Sequence, residues 1–145
     1  MFQITHKDFN LEEILQKHYS KSFGAHSIFL GTVRSDNNKS IFLETYEELA
    51  MKQFKSYLIE IEKRFQVSAL TIIHRIGELK IGEKIVLVVT SAPHRDNAIK
   101  ANEFVMDKLK VSAAFWKSQL LNGKYVPIDQ KKSDLERFSR WDSTK

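Results

Sequence analysis

The chain has 145 residues, of which 42% are hydrophobic and 28% are charged, so it can bury one core and is not predicted to be disordered. Its 23 lysines and arginines against 18 acidic residues give a net charge of +5, which favours an anionic ligand or an acidic partner. The absence of cysteine excludes disulfides, thiolate metal sites and a cysteine nucleophile.

Membrane and export signals are not evident in the sequence. No stretch approaches the roughly 18 consecutive apolar residues that a membrane-spanning helix needs. The segment from Met1 to Ser20 lacks the apolar core of a signal peptide. We therefore expect a soluble, cytoplasmic protein with no membrane partner.

The predicted elements alternate between short strands and helices whose apolar residues recur every three or four positions. After an initial strand, in chain order, they are a helix from Leu11 to about Tyr19, strands His26–Val33 and Ile41–Tyr46, a helix from Glu47 to Phe65, strands Leu70–Ile76 and Lys84–Thr90, a helix from Asn97 to Leu109, and strands Ala113–Ser118 and Lys124–Ile128.

Turn chemistry and connectivity indicate the fold class. The polar stretch Ser35–Ser40 is expected to be a mobile loop, and Leu121–Gly123 is predicted to be a hairpin turn. Asn10 and Glu13 form a capping-box-like start for the first helix. Because many successive strands have no helix between them, we expect an α+β fold with a mostly antiparallel sheet.

Several classes of site are not supported by any motif. The five glycines form neither a P-loop nor a GxGxxG sequence, and no GxSxG elbow is present. The five histidines show no HxxxH or HExxH spacing. The sequence therefore predicts no metal ion and no bound cofactor.

Cations at the edges of apolar segments form the pattern most suggestive of a site. They are Arg34, the pairs His74-Arg75 and His94-Arg95, Lys110 and Lys117. Each also has a purely structural explanation that stays open. A lysine in the last turn of a helix complements the helix dipole, one on a strand can point to solvent, and a histidine on an apolar strand face can belong to the core.

Five blocks, in order, resemble one family. They are GTVR at Gly31–Arg34, IHRIGEL at Ile73–Leu79, SAPHR at Ser91–Arg95, FVMDKLK at Phe104–Lys110 and FWK at Phe115–Lys117. The chain resembles the large, catalytic subunit of molybdopterin synthase, the MoaE family, from about Gly24 to Trp141. The resemblance implies one catalytic domain over residues 1–145, with an α/β hammerhead fold, an additional antiparallel sheet and three main helices.

The resemblance also implies an activity. This family is a sulfurtransferase that converts cyclic pyranopterin monophosphate into the dithiolene of molybdopterin. The sulfur comes from the C-terminal glycine thiocarboxylate of a small ubiquitin-like carrier subunit. The implied assembly is a homodimer within a heterotetramer, without nucleic acid. Since the substrate phosphate and the thiocarboxylate are both anions, a cationic site suits this chemistry.

Nine positions of the chain match the family's substrate-contacting segments. They are Thr32, Val33, Arg34, His94, Arg95, Lys110, Lys117, Ser118 and Gln119. Lys110 and Lys117 are the implied catalytic residues, Lys110 where the carrier's terminal glycine enters and Lys117 at the reacting carbons. The chain departs from the pattern at Gln119, where many relatives have glutamate, and near Asp129–Lys132, where relatives have arginine and this chain offers only lysine.

Two alternatives from other classes remain open. A non-catalytic module that binds RNA or an acidic protein would also explain the net positive charge and the aromatic residues beside lysines. An inactive or regulatory homologue would explain Gln119. Binding of a pterin phosphate, as opposed to a steeply salt-dependent affinity for RNA, distinguishes the enzyme from the binding module. Turnover with a thiocarboxylated donor distinguishes it from the inactive homologue.

Overall fold

The computed structural model describes residues 1–34, 40–111, 114–129 and 131–142. Within these ranges four helices are present: α1 (Leu11–Gln16), α2 (Glu47–Phe65), α3 (Arg95–Val111) and α4 (Lys132–Ser139). The strands of the same ranges are β1 (Phe2–Thr5), β2 (Ala25–Thr32), β3 (Ile41–Thr45), β4 (Ala69–Arg75), β5 (Gly77–Leu79), β6 (Lys84–Ala92), β7 (Phe115–Leu121) and β8 (Lys124–Pro127).

The strands form two four-stranded sheets. The first sheet has the order β1-β4-β6-β2 and the second has the order β5-β3-β7-β8. Only β1 and β4 pair in parallel among the described strands, and every other pair is antiparallel. The α+β fold with a mostly antiparallel arrangement is confirmed, and the second sheet is the additional antiparallel sheet that the resemblance implied.

The core lies mainly on the first sheet. Apolar residues of α2 and α3, including Phe54 and Phe104, pack on one face of this sheet. Ile14 of α1 packs on the other face against Ile73, Leu87 and Val89. A smaller cluster between the two sheets contains Val33, Ile41, Leu43 and Leu79. This small cluster fixes how the second sheet sits against the first.

The predicted helices agree with the structure except in three respects. The helix Glu47–Phe65 is confirmed at both ends, and α3 extends the predicted Asn97–Leu109 by two residues in each direction. The first helix was predicted too long: it ends at Gln16, and Tyr19 is 62% exposed. The chain leaves the helix because the buried ring of His18 bonds to side chains of the first sheet. The implied count of three main helices omits α4.

The predicted strands are correct in type and differ at the ends, and β5 was not predicted. β6 continues two residues past the predicted Thr90, because Ser91 and Ala92 still pair with β2. Asn122 and Gly123 both have positive φ and join β7 to β8 in a two-residue turn, which confirms the predicted hairpin. The loop prediction for residues 35–39, and the predicted start of a strand at Ala113, lie outside the described residues.

Candidate functional site

One group of the predicted site residues lies at the junction of the two sheets. The buried side chain of Val33 packs against Ile41 and Leu43 of β3, so its neighbours Thr32 and Arg34 are held beside that strand. In turn, β3 pairs with β7, where Leu43 lies opposite Lys117. Ser118 and Gln119 follow in the same register. The segments Thr32–Arg34 and Lys117–Gln119 therefore flank the same strand.

Lys110 reaches this junction from the end of α3. It lies in the last turn of the helix and is exposed, as is Lys117. Its charge acts on His74 of β4, whose ring stacks on Phe115 with the ring centroids 3.9 Å apart. Phe115 opens β7, two residues before Lys117. The His74 ring thus senses the charge of Lys110 and contacts the strand that carries Lys117.

The His74 ring is held uncharged at this place. Burial lowers the pKa of His74 to about 4, and the Lys110 ammonium acts in the same direction. Nδ1 lies 2.9 Å from the carbonyl oxygen of Arg75, so this nitrogen carries the ring proton and donates it. One interpretation of the sequence placed His74 in the core as a hydrogen-bonded residue. This contact is consistent with that interpretation.

His94 and Arg95 lie elsewhere. They occupy the beginning of α3, and Arg95 has an 87% exposed side chain. Lys110 follows Arg95 by fifteen positions of the helix, a distance of about 22 Å along the helix axis. Along the β2–β6 pair, Ala25 lies opposite Ala92 at one end and Thr32 lies opposite Lys84 at the other. His94 and Arg95 follow Ala92 and Arg34 follows Thr32, so the two groups lie at opposite ends of the first sheet. Within one chain, His94 and Arg95 do not join the other predicted site residues.

Arg75 is a structural residue, which corrects its grouping with the site cations. It is only 6% exposed. Its guanidinium donates to the carbonyl oxygen of Lys84 at 3.0 Å and to Glu83 Oε1 at 3.1 Å. The backbone N–H of Lys80, followed by the Arg75 guanidinium, keeps the pKa of Glu83 below its usual value. Arg75 therefore joins β4 to the β5–β6 turn and is not available to a ligand.

A groove of about 360 Å³ runs along α3, between β2 and α4. Lys110 and Met106 line one part of it, and Ile28, Phe29 and Ile99 provide apolar walls. Lys110 is the one member of the predicted site among the described lining residues.

Comparison with known proteins decides the family. The family described as MoaE protein matches residues 4–112. The molybdopterin synthase catalytic subunit of Haemophilus ducreyi is 37% identical over 83% of this chain and 82% of its own length. The chain belongs to the MoaE family.

Solved MoaE structures share the fold. The MoaE protein of Burkholderia ambifaria superposes with a TM-score of 0.85 at 32% identity, covering 97% of both chains. A complex of subunits 1 and 2 of molybdopterin-converting factor from Helicobacter pylori contains a chain with a TM-score of 0.78 and 25% identity, covering 90% of this chain and 91% of that one.

The sequence of this MoaE chain did not predict the contacts that two residues, His74 and Asp107, make near the site. His74 was interpreted as a core residue, and its contact with Phe115 and its nearness to Lys110 depend on long-range packing. Asp107, one turn before Lys110, binds Arg140 Nη2 and Trp141 Nε1 at 2.7 Å each and so holds the segment after α4 against α3. The block FVMDKLK contained this aspartate, but nothing local identified its partners.

The part of the chain that the structure describes offers neither a metal cluster nor a membrane-spanning helix. No group of three or more histidine, aspartate or glutamate side chains is placed there to hold a metal ion. No described helix is long and apolar enough to cross a membrane.

Proposed function

We propose that this chain is the catalytic subunit of a cytoplasmic molybdopterin synthase. It would transfer sulfur from the C-terminal thiocarboxylate of a small carrier subunit to cyclic pyranopterin monophosphate, forming the dithiolene of molybdopterin. The observation that carries the proposal is the convergence of Thr32–Arg34, Lys110 and Lys117–Gln119 on one sheet junction in a MoaE-family chain. Because the relatives are enzymes by name, catalysis is favoured over an RNA-binding module.

The source of sulfur follows from the composition. The chain has no cysteine, and the thioether of methionine carries no transferable sulfur. The sulfur must therefore arrive on another molecule. The solved Helicobacter pylori complex, with its two kinds of subunit, supports a carrier protein as that molecule.

The exposed lysines fit the charges that this chemistry develops. The thiocarboxylate brings a negative charge to the site, and attack of its sulfur on a substrate carbon forms a C–S bond while the displaced electron pair moves onto the substrate. Water then cleaves the bond between this sulfur and the carrier's acyl carbon, so the sulfur stays on the substrate and the carrier leaves with an ordinary carboxylate. Lys110 at the end of α3 would receive the carrier terminus, and Lys117 would stabilise charge or move a proton at the reacting carbons. Arg34 would bind the substrate phosphate through charge-assisted hydrogen bonds.

A second copy of the chain would supply the remaining cations. Exposed apolar side chains at Ile28, Phe29 and Leu30 follow one another on β2, an edge strand of the first sheet, and this surface suits a homodimer. If two α3 helices lie antiparallel across a two-fold axis, the beginning of one faces the end of the other. His94 and Arg95 of the second copy would then approach Lys110, although about 22 Å of helix separates them within one chain.

The test is a reconstitution with three donors. The purified chain is mixed with cyclic pyranopterin monophosphate and either the thiocarboxylated carrier, the same carrier with an ordinary carboxylate, or free sulfide. We expect dithiolene only with the thiocarboxylated carrier. Equal product from both carriers, or efficient product from low sulfide alone, would refute the proposal. No turnover with the thiocarboxylated carrier would instead indicate an inactive homologue.

A further inference from the structure

A buried chain of hydrogen bonds lies at the end of the first sheet, away from Lys110 and Lys117. Ser91 Oγ, whose residue is 0% exposed, lies 2.6 Å from His18 Nδ1 and 2.8 Å from His26 Nδ1. His18, itself only 3% exposed, continues the chain through Nε2, which lies 2.7 Å from Thr71 Oγ1. These hydrogen bonds therefore connect four segments of the protein, which are β4, the segment after α1, β6 and β2, through one side chain from each.

The hydrogen-bond network lies immediately before His94 and Arg95, the predicted anion-binding pair, along the main chain. Ser91 is three residues before His94 and pairs with His26 across β2 and β6. The backbone N–H of Gly24 donates to the carbonyl oxygen of Ala92 at 3.1 Å. A Cβ at Gly24 would lie 2.3 Å from the carbonyl oxygen of Pro93, so this close approach requires glycine. The connection from β6 to α3 is thus held tightly on the side of Ser91.

The opposite face of β6 holds the same connection to α3. Thr90 Oγ1 donates to the carbonyl oxygen of Ala98 at 2.7 Å, within the first turn of the helix. Neighbouring side chains of a strand point to opposite faces, so Thr90 and Ser91 make their hydrogen bonds on the two opposite faces of the end of β6. His94 and Arg95 follow this strand end directly, and their main-chain direction depends on it.

The donor and acceptor of each hydrogen bond in the network can be assigned once one proton is placed. Burial, with smaller contributions from the N-terminal ammonium and His26, lowers the pKa of His18 to about 4, so its ring carries one proton at neutral pH. If Thr71 donates to Nε2, then Nδ1–H donates to Ser91, and the Ser91 hydroxyl donates to His26. The rings of Tyr19 and Phe23 pack edge-on against His26 on its other sides.

Two of the three contacts in this hydrogen-bond network involve the Ser91 hydroxyl. The opposite set of directions holds in the tautomer whose His26 ring proton is on Nδ1: His26 donates to Ser91, Ser91 donates to His18 Nδ1, and His18 donates to Thr71. Both directions keep all three contacts. Alanine at position 91 would leave two histidine nitrogens without their partner, whereas a change at Thr71 would remove only the far end.

We propose that Ser91, together with His18 and His26, is a positioning unit that fixes the direction in which His94 and Arg95 leave β6 toward a bound phosphate. Ser91 touches no substrate and acts through the segment that follows it. The inference rests on the proposed function only in identifying the phosphate with that of the substrate.

The test compares two deletions of a buried hydroxyl from the same hydrogen-bond chain. Ser91→Ala removes the central hydroxyl, and Thr71→Val, its matched control, removes the terminal one with little change of shape. In the reconstituted enzyme we expect Ser91→Ala to raise KM for the pterin substrate about tenfold with kcat within about twofold, and Thr71→Val to change neither. Equal KM changes in both variants, or no change in Ser91→Ala, would overturn the proposal.

A second readout is independent of turnover. Titration of the full chain with inorganic phosphate, followed through the NMR signals of the His94 and Arg95 amides, should give about tenfold weaker binding in Ser91→Ala and unchanged binding in Thr71→Val. If Ser91→Ala does not fold, the partly buried His26→Phe replaces it and should weaken phosphate binding in the same direction. An unaltered response in the folded variant would refute the positioning role. Absent turnover in every variant, with the phosphate differences intact, would count against the proposed function alone.

Discussion

Arg75 and Lys117 are cations of neighbouring sheets whose surroundings differ. The guanidinium of Arg75 is buried and donates to Glu83 and to main-chain carbonyl oxygens. Lys117 is exposed at the sheet junction and stands in register with Leu43. Burial with fixed partners gives Arg75 a structural role, whereas exposure leaves Lys117 accessible to an anionic substrate.

Replacing either predicted catalytic lysine should impair activity without affecting the fold. Lys110→Ala and Lys117→Ala should each lower kcat about 100-fold or more, because a lost donor to developing charge is worth ~3 kcal/mol. Since both side chains are exposed, the free energy of unfolding should change by less than about 0.5 kcal/mol. Lys124→Ala on β8 is the matched control, an exposed strand lysine that should retain full turnover. Wild-type rates in both site variants would exclude these lysines from catalysis.

His18, which is buried, and His74, which is partly buried, should make stability dependent on pH. The pKa values of His18 and His74 are lowered from 6.5 to about 4 in the folded chain, mainly by burial. Above pH 6.5 the rings are neutral in both states and stability is greatest. As the pH falls toward 4, the unfolded chain binds protons that the folded chain excludes, so stability falls, by about 2 kcal/mol per histidine at pH 5.

Urea unfolding at pH 7.5 and pH 5 measures this effect. The loss of stability on acidification should be smaller in His18→Gln than in the wild-type chain, because one of the two excluded protons is gone. His94→Gln, a change at an exposed ring, should keep the wild-type loss. Identical losses in the wild-type chain and His18→Gln would show that His18 is not held neutral by the fold.

At the level of elements, α4 differs from the other helices because no core residue belongs to it. The C-terminal segment is attached to α3 through polar contacts instead. Arg140 Nη2 lies 2.7 Å from both Glu103 Oε1 and Asp107 Oδ2, and Trp141 Nε1 donates to Asp107 at 2.7 Å. Trp141 also packs edge-on against Phe104 of the core. One aspartate of α3 thus holds the segment that borders the Lys110 groove.

Asp107→Ala should release this segment. The nearly buried carboxylate holds Arg140 and Trp141, so its loss should cost about 2–4 kcal/mol of unfolding free energy. Amide hydrogen exchange should accelerate in α4 before it does in α2, and Trp141 fluorescence should shift to the red. Glu103→Ala, at a more exposed carboxylate, should cost less than about 1 kcal/mol. Equal losses in the two variants would mean that Asp107 is not the principal attachment.

At the scale of the whole molecule, the predicted site cations are too far apart for all of them to meet within one chain. Arg34, Lys110 and Lys117 lie toward one end of the first sheet, and His94 and Arg95 lie at the other. A single phosphate cannot contact both groups within one chain. A site that uses both groups therefore needs two copies, and exposed apolar residues of β2 offer the surface on which they can meet.

Mixing two inactive variants tests this requirement. If the site is shared, Lys117→Ala and Arg95→Ala subunits that exchange at a 1:1 ratio should regain about a quarter of the wild-type activity. Half of the dimers are then hybrids, and each hybrid has one intact site out of two. Mixing Lys117→Ala with Lys110→Ala is the control, because both changes affect the same end and each hybrid site still lacks a lysine. Equal recovery in the two mixtures would exclude a shared site.

The dimer surface can be tested separately. Phe29→Asp places a charge on the exposed apolar face of β2 and should yield a folded monomer with little turnover. Ile59→Asp introduces the same charge at an exposed position of α2 and should leave the dimer intact. Light scattering distinguishes these outcomes, and a stable monomer of the unchanged chain at micromolar concentration would contradict the dimer itself.

Local patterns in the sequence were sufficient for much of the fold. The apolar spacing of Glu47–Phe65, the hairpin at Asn122-Gly123 and the capping of α1 by Asn10 all agree with the structure. Each depends on residues within one or two turns of each other, so neighbouring side chains decide the outcome. The ordered motif blocks, which need no structure, identified the family in the same way.

Contacts between distant segments decided the rest. The burial of Arg75, the bonds of His18 to Ser91 and Thr71, and the attachment of the α4 segment by Asp107 join residues that no local pattern connects. The sequence by itself determined most of the helices and strands, although not β5 or α4, and which residue types are available for an anion. Only the tertiary structure decided which cations are buried, which share an end of the sheet and which need a second copy, because these properties depend on how the elements pack.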